Sequence, residues 1–297
     1  MSQKILRAVI PAAGLGTRLL PATKSQPKEM LPIVDRPAIQ YVVEEAISSG
    51  IEDVLIITGR GKRSLEDHFD YSIELESVLA AKDADHVIDA LRKIAEGADI
   101  FFIRQKEPKG LGHAVNCAHK HIGNEPFAVM LGDDIFLSEP PALQQMIELY
   151  QRQPGIIIAI QEVPADQTSL YGIVSGEALT QDVFQVSDLI EKPDADKAPS
   201  NLAIVGRYIF PPEIFQALQQ TTAGSGGEIQ LTDAIRKLRG EVPIYGYRFL
   251  GKRYDIGSRL SYLTTNIELA LQRPELRDDL LVFLKDLIGE KLPTSLT

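Results

Sequence analysis

Ile5-Leu-Arg-Ala-Val-Ile-Pro11 runs directly into Ala12-Ala-Gly-Leu-Gly-Thr-Arg-Leu19. An apolar run bounded by glycines reads as a buried strand that ends in a loop. Glycines after a first strand allow backbone N–H groups to approach phosphate oxygens, although Gly14-x-Gly16 alone is no more than a tight βα turn. Downstream, Pro37 to Ser49 opens with proline at a helix start and carries apolar residues at helical spacing. Val54–Thr58, Ile100–Ile103, Phe127–Leu131 and Gly155–Ile160 are further candidates for buried strands. Strands alternating with helices predict an α/β fold: a Rossmann-like, mostly parallel (mixed) central sheet flanked by helices.

Two phosphate-loop types can be tested against the letters. A Walker-type loop requires Lys and then Ser or Thr after its second glycine, where this chain has Thr17-Arg18. A dinucleotide fingerprint requires a third glycine or alanine where Leu19 stands. It also needs an acid ending the second strand, which here runs into Thr58-Gly59-Arg60. Both are rejected, and with them a nucleotide-dependent dehydrogenase is disfavoured. The remaining loop carries the cations Arg18 and Lys28, with Pro21, Pro27 and Pro32 to stiffen it. A rigid, glycine-opened loop with two cations suits a triphosphate.

The bulk numbers narrow the class. The chain has 297 residues, 44% of them hydrophobic and 24% charged, enough for a sizeable core. Its net charge of −10, without a long basic run, disfavours nucleic acid as a partner but leaves room for a small phosphorylated ligand. The apolar runs are too short to span a bilayer, and Met1-Ser2-Gln3-Lys4 lacks the apolar stretch of a signal peptide. The single Cys117 fits a reducing compartment. The expectation is a cytoplasmic protein that engages no membrane. Arg63 to Glu96 reads as a long helical excursion; Glu228–Leu238, Ser258–Leu271 and a last helix near Asp278–Ile288 complete the helical set.

Asp133 and Asp134 follow a buried strand at its carboxyl end, where open α/β sheets place their ligands. Leu-Gly-Asp-Asp also makes a good solvated turn. Adjacent side chains on a strand end point opposite ways, so one carboxylate is expected to face a site. No Ser/His/Asp elbow is present. His119-x-His121 lacks the spacing of a zinc site, and the five histidines read as structural or solvated.

The run Ala8 to Ala46, AVIPAAGLGTRLLPATKSQPKEMLPIVDRPAIQYVVEEA, resembles the bacterial UTP–glucose-1-phosphate uridylyltransferases, also called UDP-glucose pyrophosphorylases. The likeness continues through Gln105–Val115, Leu131–Asp134, Ile190–Pro193, Gly227–Ala234 and Tyr254–Ser258, and so covers nearly the whole chain. Ala12-Ala13 and Gln-Pro-Lys-Glu-Met favour that family over its thymidylyl relatives. The resemblance implies transfer of the uridylyl group of UTP to glucose 1-phosphate, giving UDP-glucose and pyrophosphate. The alternatives are a thymidylyltransferase and a non-catalytic protein that binds nucleotide-sugars.

The resemblance also implies a site. Ala12, Ala13, Gly14, Gly16 and Thr17 form the nucleotide loop. Ala13, Gly14, Gln105 and Gly110 border the uracil, with Gly112 beside them. Tyr171, Gly172, Glu191, Lys192, Gly206 and Glu228 serve the sugar phosphate, with Gln230 a further candidate. Asp133 and Asp255 hold Mg²⁺, which typically takes one or two carboxylates plus substrate phosphates. Arg18, Lys28 and Lys192 are the catalytic cations, expected on the leaving pyrophosphate, the transferring phosphoryl and the attacking phosphate respectively. The domain reading is a nucleotidyltransferase domain over 1–271, with a nucleotide half about 1–150 and a sugar half about 151–257, then a helical extension over 272–297. The family is commonly dimeric or tetrameric, which implies a homo-oligomer.

Overall fold

The opening strand runs from Arg7 to Ala12 in the computed structural model, which describes residues 3–289. It lies inside a nine-stranded sheet whose order is Asp99–Arg104, Asp53–Thr58, Arg7–Ala12, Phe127–Met130, Leu202–Phe210, Ile156–Glu162, Ile244–Arg248, Val183–Glu191 and Gly172–Ala178. Its side chains alternate between two cores. Ala8, Ile10 and Ala12 face one, together with Val42, Ile56 and Met146. Val9 faces the other, with Leu55, Phe127 and Phe215. Period-two alternation in a sheet covered on both faces dictates this split. A fully buried Ile such as Ile10 or Ile56 contributes roughly 1.5–3 kcal/mol relative to leaving it exposed.

The helix after the phosphate loop, Ala38–Ser48, has Pro37 at its N-cap and buries Ala38, Ile39, Val42, Val43 and Ala46. That i, i+4, i+8 stripe holds it against the sheet. The C-terminal pair, Arg259–Leu271 and Pro274–Gly289, pack on each other. Ser258 caps the first of them with a reciprocal capping box to Ser261. Residues 290–297 of the expected extension, like Met1 and Ser2, lie outside the described residues.

Two expectations are refined. The sheet is parallel along its first side, where Arg7–Ala12 pairs with Asp53–Thr58 and Phe127–Met130, and again where Ile244–Arg248 pairs with Ile156–Glu162. Beyond that, Leu202–Phe210 runs antiparallel to both Phe127–Met130 and Ile156–Glu162, and the edge pair Val183–Glu191 and Gly172–Ala178 is antiparallel as well. The Arg63–Glu96 excursion is three helices, Arg63–Phe69, Ile73–Ala80 and Asp85–Ala95. Asp70, extended at φ −83°, ψ 160°, ends the first, and Asp83, at φ 53°, separates the other two. No described helix is long and apolar enough to cross a membrane.

Candidate active site

Thr17–Leu19 and Lys28–Met30 are single 3₁₀ turns in the loop after the first strand. They aim Arg18 and Lys28 back over the carboxyl ends of the strands. The Thr23 hydroxyl donates to the Gly16 carbonyl at 2.7 Å and ties the two parts of the loop together. Lys28 Nζ donates to Asp133 Oδ2 at 2.6 Å, across 105 residues of sequence. Burial alone would lower the Lys28 ammonium's pKa. Asp133 and Glu29 outweigh it and hold Lys28 above its ordinary value. In the same way burial would raise Asp133, but Lys28 and Arg18 keep its carboxyl below the usual range. Lys28 is therefore an ammonium and Asp133 a carboxylate at neutral pH.

The second acid arrives from the far end of the chain. Lys252–Asp255 pairs antiparallel with Asp134–Leu137 and sets Asp255 opposite Asp134. The Ile256 N–H donates to the Asp133 carbonyl at 3.1 Å, so the backbones of Asp133 and Asp255 are near neighbours. Asp134 has a different task. Its Oδ2 accepts the Gly206 N–H at 3.2 Å, and Arg253 donates to its Oδ1 at 2.8 Å. Burial pushes its pKa up to about 6. Gly206 has to be glycine for this: a Cβ there would stand 2.4 Å from Asp134 Oδ2.

Two clefts meet at these acids. The larger, about 580 Å³, is lined by Ala13, Gly14, Gly16, Thr17, Arg18, Lys28, Gln105, Gly110, Asp133, Lys192 and Glu228, among others. The smaller, about 180 Å³, takes in Tyr171, Gly172, Glu191, Gly206, Gln230 and Asp255. Arg18, Leu111, Leu131 and Asp133 belong to both and mark the junction. The sequence-predicted residues are thus brought to one place, with two exceptions. Ala12 is a strand residue only 1% exposed, and Gly112 donates its N–H to the Ile229 carbonyl at 2.9 Å; neither lines a cleft. Asp133 and Asp134 both line the smaller cleft, and the Asp134 carboxylate there is taken up by Gly206 and Arg253.

Several supporting residues were not foreseen. Gln105 Nε2 lies 3.2 Å from the Gly110 carbonyl and 2.8 Å from His113 Nδ1. Burial lowers the His113 pKa, so the ring is neutral and Nδ1 can accept. With its amino group engaged, Gln105 turns its carbonyl oxygen outward. Gly110, at φ 94°, leaves no room for a Cβ, which would lie 2.9 Å from the Ile229 carbonyl. Thr232 donates to Glu191 Oε2 at 2.7 Å. Lys192 sits at φ 43°, a strained backbone state for a non-glycine residue, with its N–H bonded to the Tyr171 carbonyl. Arg253 stacks over the Tyr171 ring, 5.5 Å from its centroid, and bridges Asp134 and Asp255. The only sequence signal for Arg253 was its place two residues before Asp255.

Chemically, the junction gathers cations from three segments around two adjacent carboxylates. No cluster of three or more His, Cys, Asp or Glu side chains suited to a metal exists among the described residues. A two-carboxylate donor set matches a hard divalent ion completed by phosphate oxygens and water, not an all-protein cage.

A family model described as nucleotidyl transferase matches residues 7–272. A UTP–glucose-1-phosphate uridylyltransferase of Bacillus subtilis (strain 168) is 53% identical over 289 residues, covering 97% of this chain and 99% of that protein. Among solved structures, a UDP-glucose pyrophosphorylase complexed with UDP-glucose superposes with a TM-score of 0.85 at 46% identity, covering 91% of this chain and 100% of the other. A UTP-bound enzyme of the same type from Acinetobacter baumannii gives 0.84 at 39% identity, over 97% and 99% of the two chains.

Proposed function

The chain belongs to the nucleotidyl transferase family, and from that membership we propose that it transfers the uridylyl group of UTP to glucose 1-phosphate, releasing pyrophosphate. The observation that carries the site assignment is the Lys28–Asp133 contact at the junction of the two clefts, with Asp255 in the neighbouring segment and Arg18 lining both clefts. The larger cleft has the volume for a nucleoside triphosphate, and the smaller opens from its reactive end.

In this reading Gln105 offers its carbonyl oxygen to the N3–H of uracil, while the Gly14–Thr17 turn receives the phosphates. Glu191, held by Thr232, accepts hydrogen bonds from sugar hydroxyls. An oxygen of the 1-phosphate attacks the α-phosphorus of UTP, the bond from that phosphorus to the bridging oxygen breaks, and pyrophosphate departs in line. A phosphate monoester has its second pKa near about 6, so the nucleophile is already ionised and no general base is required. The obstacle is bringing two polyanions together, and it is met by positioning and charge. Lys192 steadies the attacking phosphate, Lys28 turns from Asp133 to the transferring phosphoryl, and Arg18 receives the leaving group. Arg18 has no hydrogen bond or ion pair of its own among the described residues, so its donors are available. Asp133 and Asp255 would hold Mg²⁺, which when bound neutralises phosphate charge.

The nucleotide half, about 1–150, and the sugar half, about 151–257, are proposed to contribute one cleft each. A homo-oligomer working in the cytosol completes the reading. The association is supported by Leu260, Leu263, Val282, Phe283 and Ile288, all exposed on the C-terminal helices. A pyrophosphate-release screen over four nucleoside triphosphates and several sugar 1-phosphates tests the activity. UTP with glucose 1-phosphate is expected to lead. Preference for dTTP would move the chain to the thymidylyl class, and binding without release would make it a sensor.

A further inference from the structure

The turn that presents Lys28 rests on a second ion pair that the chemistry above does not use. Glu29, only 1% exposed, accepts from Lys62 Nζ at 2.8 Å. Lys62 is 7% exposed and closes the Gly59–Gly61 turn just before the helix Arg63–Phe69. The other oxygen, Glu29 Oε1, is buried without a hydrogen-bond partner among the described residues. Glu29 also packs under the Asp133 loop, so closely that a Cβ on Gly132 would stand 3.2 Å from its Cγ.

Lys62, Glu29, Lys28 and Asp133 therefore form a row of alternating charge from the second strand's turn to the acid at the cleft junction. Such a pair is a poor choice for stability alone. Burial raises the Glu29 carboxyl and lowers the Lys62 ammonium, each against its own charge. Well-packed apolar residues of the same volume are often as stable or more so. Its place next to Lys28 supplies a reason to keep it. Lys28 gives up Asp133 when it turns to a phosphate, and Glu29 is the neighbouring anion that stays.

We propose that Lys62 is a positioning residue that acts through Glu29 to hold the Lys28 ammonium at the junction of the two clefts. The inference rests on the role assigned to Lys28 above. Lys62 touches neither cleft; Glu29 borders the larger one.

The test compares the parent with Lys62→Met, Glu29→Gln, the double variant and Lys62→Arg. Each single change strands a buried partner, so both are expected to melt lower and turn over more slowly. The double variant removes both charges and regains most of the parent's melting temperature. Its kcat is expected to stay about tenfold or more below the parent's, with KM for glucose 1-phosphate within about threefold. Lys62→Arg keeps the charge and recovers most of the turnover. A purely structural pair would behave otherwise: the double variant would recover stability and kcat together, and that result overturns the proposal. A double variant that does not reach the native state overturns it too, because the pair would then be scaffold. Calorimetric binding of UTP, expected about tenfold weaker in the double variant, reads the same effect without turnover. If the parent shows no uridylyl transfer but this affinity difference remains, the functional reading has failed and the positioning role has not.

Discussion

Two ion pairs hold the same short loop, Leu131 to Asp134, and they are built in opposite ways. Arg207, completely buried, donates to Glu45 Oε2 from Nη2 at 2.7 Å and from Nε at 3.1 Å. It also donates to the carbonyls of Leu131, Gly206 and Asp134. Its guanidinium lies over the Phe136 ring, 4.3 Å from the centroid, and Glu45 Oε1 accepts the Leu143 N–H as well. Lys28, by contrast, has three donors and uses one, on Asp133, among the described residues. Its side chain keeps 19% of its surface exposed and that of Asp133 keeps 18%. The saturated pair can only hold the loop. The unsaturated pair can exchange its partner for a phosphate or a cation, which separates machinery from scaffold better than charge or burial does.

The contrast can be broken at either pair. The largest expected effect is on stability: Arg207→Ala leaves Glu45 buried and unpaired and should cost roughly 3–5 kcal/mol in urea unfolding. A loss below about 1 kcal/mol would mean that the saturated pair is not scaffold. Next is Thr232→Val, which frees Glu191 from its hydroxyl donor. A hydrogen bond to a charged group of roughly 1.5–3 kcal/mol corresponds to a KM for glucose 1-phosphate about ten- to 150-fold higher. An unchanged KM would detach Glu191 from sugar recognition. The smallest effect belongs to Ser258→Ala, which removes the capping-box oxygen at the start of the C-terminal helix pair and touches neither ion pair. It should lower stability by about 1 kcal/mol and leave kcat within about twofold. A large loss of turnover there would show that the cap also orders the Asp255 segment.

The same division explains what the sequence disclosed. Local patterns were readable: the strand before Gly14, the proline-led helix after Pro37, and the cations Arg18 and Lys28 in one stiff loop. Asp133 and Asp255 could be paired only through family resemblance, because the antiparallel ladder that joins their segments leaves no local signature. Arg207 was unreadable. It sits inside an otherwise apolar strand, and its partner is 162 residues away on a helix. Lys62 carries no local signal, and its burial against Glu29 of the phosphate loop depends on tertiary packing alone. His113 read as a structural histidine, and only the fold reveals that it fixes the Gln105 amide. The parallel first half followed from strand–helix alternation. The mixed second half, mostly antiparallel, did not, since short strands between turns carry no direction.

The central claim is that the Lys28 ammonium, held by Asp133 in the free protein, serves the transferring phosphoryl group during the reaction. Steady-state turnover of Lys28→Ala with UTP, glucose 1-phosphate and Mg²⁺, measured beside its melting temperature, tests it most directly. The account predicts kcat lower by ~10²- to 10³-fold, roughly 3–4 kcal/mol of lost transition-state stabilisation, in a protein that still melts cooperatively. A folded variant that retains near-parental turnover would contradict it.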